Sequence, residues 1–306
     1  MTRRLVLKKK KSDIESLQSS PIIVIGGFGR SGTTLVRTML DTHPSIQCGP
    51  ETKIIPRFAA FMKTYQGKLL DDLREAGIDK PLINEAAVKF IHHILRNRAL
   101  RTSKRLCLKD PDILNHMQFL RELFPKAKFV HVVRDGRAAA FSFMKKMGEK
   151  MDFIRYRYYL SLWNKYNQLI VANCHGSDMC FRVKYEELIE QPERVLRNLL
   201  NFLQEDWSEK VLEHEKHLGS VRISRLEWSS DQIKKSIYKN STSHDFEKMI
   251  ANYDPIDIAM IAPMLKTLGY NVSYSKANLQ EKKTVGFYDA MLIIGYLFDE
   301  MNIKIN

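Results

Sequence analysis

The sequence predicts an α/β fold, a doubly wound parallel sheet, on three observations. The run Pro21 to Gly26 is continuously apolar and β-branched and ends in glycine, the pattern of a strand buried on both faces of a parallel sheet. Short apolar runs then alternate with longer amphipathic stretches, the rhythm of strand, crossover helix and strand. Between the first strand and the first helix stands a glycine-rich loop, Gly27 to Thr34, at the carboxyl end of a strand, where such sheets take ligands.

Each element has its own signal. A helix over Thr33 to Asp41 follows the loop. Ile83, Ala87, Phe90 or Ile91, and Ile94 recur at helical spacing and predict an amphipathic helix running to about Arg98. Leu106 to Leu108 reads as a second strand. Ile113 to Leu123 reads as helical, and Pro125 stops it before the strand Lys128 to Val133. A further helix follows RDGR. Asp152 to Cys174 is a long helix with Phe153, Tyr156, Leu160, Trp163 and Ile170 on its core stripe, leading to the strand Cys180 to Lys184. Pro192 opens a helix that places Val195, Leu199 and Phe202, and Ser208 to Leu218 is read as one more helical stretch. The organisation expected is a basic leader over 1–19, one domain over 20–272 and a tail over 273–306.

Composition bounds the function. With 306 residues, 44% hydrophobic and 27% charged, the chain can bury a sizeable core, which excludes disordered and collagen-like classes. Lysine and arginine outnumber acids 49 to 35, a net charge of +14, and Arg3, Arg4 and Lys8 to Lys11 in the leader supply six of those units. The moderately basic body points to an acidic or phosphorylated partner. Nucleic acid is disfavoured, because no recognition motif or basic-aromatic alternation accompanies the charge. No stretch reaches the ~18 apolar residues that span a bilayer, so no membrane anchor is evident. Cys174 and Cys180 close a loop short enough for pairing, which spacing alone leaves open.

The loop Gly27-Phe28-Gly29-Arg30-Ser31-Gly32-Thr33-Thr34 is a G-x-x-x-x-G turn ending in hydroxyls. Its glycines let backbone N–H groups close around an anion, and the following helix adds the positive end of its dipole. Thr33 stands where a nucleotide-hydrolysing loop carries lysine, which argues against triphosphate chemistry; Arg30 can supply a planar donor instead.

The runs IGGFGRSGTTLVRTMLDTHPSIQCGPETKIIPRF, LCLKDP and FVHVVRDGRAAAFSF, continued by WNKYNQLI, VKYEEL, SSDQIK and IAPMLKTLGY, resemble the protein-tyrosine sulfotransferases of the secretory pathway. The resemblance covers roughly residues 20 to 272. It implies a sulfotransferase-type, P-loop NTPase-like fold and transfer of the sulfuryl group of 3′-phosphoadenosine 5′-phosphosulfate (PAPS) to tyrosine hydroxyls in acidic segments of secreted or membrane proteins. Arg30, Ser31, Gly32, Thr33 and Thr34 would cradle the 5′ phosphosulfate. Arg134 and Ser142 would hold the 3′ phosphate, with Lys146 as helper. Arg134 follows a strand directly, which the fold alone favours for ligand binding. Tyr185 would contact the nucleotide, although a buried core tyrosine explains it as well.

A phenol with a pKa near 10 needs a base, and Glu51 in CGPETK matches the family's catalytic glutamate. Arg30 and Lys109 match the cations that stabilise the charge spread over the transferred group. No metal is required, and the HEKH run at His214 and His217 lacks HExxH spacing and is read as ordinary surface histidines. In VRISRLEWSSDQIKK, Arg222 stands at the place of the family's catalytic serine, with Ser224 the nearest candidate, while Ser229 and Lys235 fall on nucleotide-contacting positions. The family's proline before the arginine is Gly29 here, and its acidic residue before the base is Pro50. By the same resemblance Cys48 pairs with Cys107 and Cys174 with Cys180, the compartment is the Golgi lumen, and the chain forms a homodimer. Asn240 and Asn271 head glycosylation triplets. Two other readings stand beside this one, a carbohydrate sulfotransferase and a catalytically dead binder of nucleotide or acidic peptide.

Overall fold

The computed structural model describes residues 13–98, 105–148, 153–222, 224, 227 and 255–271. Five strands form one all-parallel sheet in the order β2-β3-β1-β4-β5. They are β1 (Ile23–Gly26), β2 (Ile46–Gln47), β3 (Arg105–Lys109), β4 (Lys128–Val133) and β5 (Cys180–Lys184). The helices that concern the site and its core are α1 (Thr33–Asp41), α2 (Ile54–Met62), α3 (Lys68–Glu75), α4 (Lys80–Arg98), α5 (Met117–Leu123), α6 (Gly136–Lys146), α7 (Phe153–Cys174), α8 (Tyr185–Glu190), α9 (Pro192–Leu203), α10 (Pro255–Ile261) and α11 (Met264–Thr267).

Alternation along the strands sets the layers. In β1, Val24 turns to one face with Ile22 and meets Leu106 and Leu108 of β3, Ala87, Val88 and Ile91 of α4, and Leu120 of α5. Ile23 and Ile25 turn to the other and meet Val36 and Leu40 of α1 and Leu196 and Leu200 of α9. Both faces of the central strand are thus dry, as its unbroken β-branched run required. A third cluster joins Phe28 of the glycine loop to α6, α7, α10 and α11 through Tyr156, Leu160, Trp163, Ile258 and Leu265.

Register brings the functional ends together. Ile25 pairs with Lys109, Gly26 with His131 and Val133 with Lys184, so β1, β3 and β4 all end at one edge. The sheet reverses its winding at β1, which opens a crevice there. Some expectations need correction. Ile113 to Leu123 begins as a 3-10 turn over Pro111–His116 before α5. Ser208 to Leu218 is two short 3-10 turns, Glu209–Val211 and His214–Ser220, because no apolar stripe at helical spacing exists to stabilise a longer helix. Phe153 is exposed at the start of α7 while Tyr156, Leu160, Trp163 and Ile170 are buried. His214 is buried rather than at the surface, since its turn packs against α1.

Candidate functional site

The glycine loop is shaped by backbone that few residues tolerate. Gly27 has φ +154°, and a Cβ there would run into the carbonyl of Val132. Arg30 sits in the left-handed region at φ 72°, a conformation that a non-glycine side chain keeps only when its surroundings hold it. Here its Nε donates to Ser142 Oγ at 3.1 Å and its carbonyl accepts from Arg134 Nη1 at 3.3 Å. Gly32 has φ +97°, and the ring of Tyr185 lies where its Cβ would be, 2.6 Å away. A Cβ on Gly29 would lie 2.6 Å from the ring of Phe143, so the aromatic leaves room for glycine alone at that position.

This turn delivers its polar groups inward. Ser31, Thr33 and Thr34 are all buried, and Ser31 Oγ has no hydrogen-bond partner among the described residues. A buried hydroxyl without a partner is costly, and an arriving anion would satisfy it. On the far wall, Arg134 follows β4 and lays its guanidinium over the Tyr185 ring, 4.8 Å from its centre. Asp135 caps α6 by accepting from Arg137 N at 2.9 Å, which orients the helix that carries Ser142. Tyr185 is half-buried between Gly32 and Arg134, so it belongs to the site's wall rather than to the core. Lys146, the last residue of α6, is exposed.

Opposite lies a network of buried charge. Lys109 is fully buried at the end of β3, and its Nζ donates to Thr34 Oγ1 at 2.9 Å, Glu51 Oε1 at 2.6 Å and Glu227 Oε1 at 3.2 Å. An ammonium has three donors, and these contacts engage them all. The second oxygen of Glu51 pairs with Lys53. Burial pushes the Glu51 carboxyl up, but Lys109 and Lys53 outweigh it and hold the group below the usual carboxylate range. Burial likewise pulls the Lys109 ammonium down against Glu51 and Glu227, which favour its charge.

Arg37, also fully buried, pairs with Glu227, with Asp41 at 3.4 Å and with the carbonyl of Arg222 at 3.0 Å. Asp41 in turn accepts from Gln47 Nε2, Cys48 N and Gly49 N at 2.9 to 3.0 Å, fixing the segment that leads to Glu51. Sequence reasoning missed Arg37, Asp41 and Glu227. Arg37 and Asp41 do carry a signal, an opposite-charge pair four residues apart within an otherwise apolar and hydroxyl helix. Glu227 carries none. Ser224 is half-buried and its carbonyl accepts from Glu227 N at 3.1 Å, whereas Arg222 is exposed. Ser229, Lys235 and Asn240 lie outside the described residues. Cys48 and Cys107, and Cys174 and Cys180, stand as two disulfides, leaving none of the four cysteines free.

Residues 21–209 match the sequence profile of the Sulfotransferase family. Over 259 residues the chain is 37% identical to protein-tyrosine sulfotransferase 1 of Danio rerio, covering 82% of this chain and 72% of that protein. It is 36% identical to protein-tyrosine sulfotransferase A of Caenorhabditis elegans over 279 residues, 89% of this chain and 73% of the relative. The chain belongs to the protein-tyrosine sulfotransferase family. It is accordingly a transferase homologue. Its fold is also that of the sulfotransferase domain from the curacin biosynthetic pathway, with a TM-score of 0.58 at 20% identity over 83% of this chain and 99% of that one. Among the described residues no helix is long and apolar enough to cross a membrane.

Proposed function

We propose that this sulfotransferase homologue transfers the sulfuryl group of PAPS to tyrosine hydroxyls in acidic segments of secretory proteins, with Glu51 as the base. The observation that carries the reading is Lys109, whose single ammonium touches both Glu51 and Thr34, the last hydroxyl of the anion loop. One buried cation therefore stands at the seam between acceptor and donor sites.

PAPS supplies the activated sulfuryl group. The orphaned Ser31 hydroxyl and the bare glycines of the loop fit an anion at the start of α1, so Arg30 to Thr34 would hold the 5′ phosphosulfate. Arg134 and Ser142 would hold the 3′ phosphate with Lys146 as helper, and Tyr185 would face the nucleotide. Ser224, Ser229 and Lys235 keep the roles that the resemblance gives them. Glu51 accepts the phenol proton, and its ionised state at neutral pH is secured by the two lysines that touch it. Arg30 and Lys109 bring fixed positive charge to the oxygens on which charge develops. Two disulfides support an oxidising compartment, which for this family is the Golgi lumen, and the family's dimeric habit extends to this chain.

The test is transfer of labelled sulfate from PAPS to an acidic tyrosine peptide. The chain from an oxidising host should label that peptide, whereas its Glu51→Gln variant and a peptide with phenylalanine for tyrosine should show label reduced at least about 100-fold. Label on a glycan and not on the peptide would replace this reading with the carbohydrate one. PAPS binding without transfer to either would make the chain a binder.

A further inference from the structure

The residue after Lys109 has a role that neither the resemblance nor the charge network assigns. Asp110 is 1% exposed, and every hydrogen bond recorded for its side chain comes from the two residues that follow Glu51. Its Oδ2 accepts from Thr52 N at 3.1 Å and Thr52 Oγ1 at 2.6 Å, and its Oδ1 accepts from Lys53 N at 3.1 Å. Asp110 N itself donates to the carbonyl of Ile25, so the anchor is fixed to β1 as well as to β3.

The tethered segment is one that would not hold its shape alone. Lys53 is in the left-handed region at φ 54°, a strained conformation for lysine. That turn starts α2 and carries Glu51 back toward the sheet, where Lys109 meets one carboxylate oxygen and Lys53 the other. Burial, and the nearby Glu51 carboxylate, push the Asp110 carboxyl up against the pull of the loop's donors. A buried carboxylate engaged by neutral N–H and O–H groups is costly to keep, and what those bonds secure is backbone position.

We propose that Asp110 is the positioning residue of the base: two consecutive residues of one strand end hold Glu51, Lys109 by its carboxylate and Asp110 by the backbone that follows it. The inference rests on Glu51 acting as base. A merely structural cap for α2 would produce the same contacts, so the test must read position rather than folding.

Asp110→Asn keeps the shape but turns an NH₂ toward at least one N–H of the loop. Turnover of PAPS and acidic tyrosine peptide by the full chain should fall about 10- to 100-fold in kcat, with KM for PAPS unchanged. In a Glu51→Gln background the same substitution should change the residual rate by less than about twofold, since Asp110 acts only through Glu51. Hydrogen exchange at the Thr52 and Lys53 amides should quicken in Asp110→Asn, a readout that needs no turnover. Should that variant fail to fold, Thr52→Val removes the shortest of the three bonds and should lower kcat about threefold, again only when Glu51 is present. An unchanged kcat, an equal fractional loss in both backgrounds, or a loss confined to KM for PAPS overturns the inference. Wild-type protein that transfers no sulfate overturns the proposed function instead, and wild-type transfer indifferent to Asp110 overturns only this step.

Discussion

The two halves of the site are built by different physics. On the half we assign to the nucleotide, Gly27 to Thr34 gains its shape from backbone conformation and close approach, over a few consecutive residues. On the half we assign to the acceptor, position comes from buried charges that meet across the chain, at sequence separations of 58 for Glu51 and Lys109, 118 for Lys109 and Glu227 and 190 for Arg37 and Glu227. Changing a glycine of the backbone cradle strands no buried charge. A buried ion network cannot lose one member without leaving another charge uncompensated.

The largest expected effect tests that contrast on the acceptor half. Lys109→Met should reduce sulfate transfer by about 10²- to 10³-fold. The same change should lower unfolding free energy in urea by about 3 to 5 kcal/mol, because Glu51 and Glu227 lose their shared cation. A variant that loses activity at wild-type stability would break the contrast. On the nucleotide half, Gly32→Ala forces a Cβ against Tyr185 at a left-handed φ, and PAPS affinity measured by calorimetry should drop about tenfold or more. Its unfolding midpoint should move far less than that of Lys109→Met. The smallest effect concerns pH. Removing Lys53 takes away one of the two cations that hold Glu51 below its ordinary pKa, so the folded value rises in Lys53→Met. Glu51 must be ionised to accept a proton, and activity is lost as pH falls through its pKa. The acid limb of kcat/KM should therefore move to higher pH in that variant, and a limb that moves lower would contradict the assignment of Glu51.

This division also explains what could be read from the sequence. The strand Pro21 to Gly26, the loop and α1 are contiguous, so local pattern revealed them. Arg134 was legible because it follows a strand. Glu51 and Lys109 were found only through resemblance, since no periodicity links residues so far apart. Glu227 stayed invisible for the same reason, and His214 was misread because burial in a 3-10 turn leaves no repeating stripe. β2 has just two residues, below the length at which alternation can register.

The bridge between Cys48 and Cys107 closes the segment between them, with a sequence separation of 59, into a covalent ring that contains α2, α3 and α4. Glu51 lies just inside that ring and Lys109 just outside, each a few residues from the sulfurs. A protease that nicks the ring at the exposed helix α3 therefore leaves base and cation on one covalent unit. Closing a ring of this size removes about 4 kcal/mol of chain entropy from the unfolded state of the intact chain, and after a cut inside the ring the same bridge instead keeps the two fragments tethered to each other. Cutting and reduction together are needed to part Glu51 from Lys109, and the order of the two treatments should not matter.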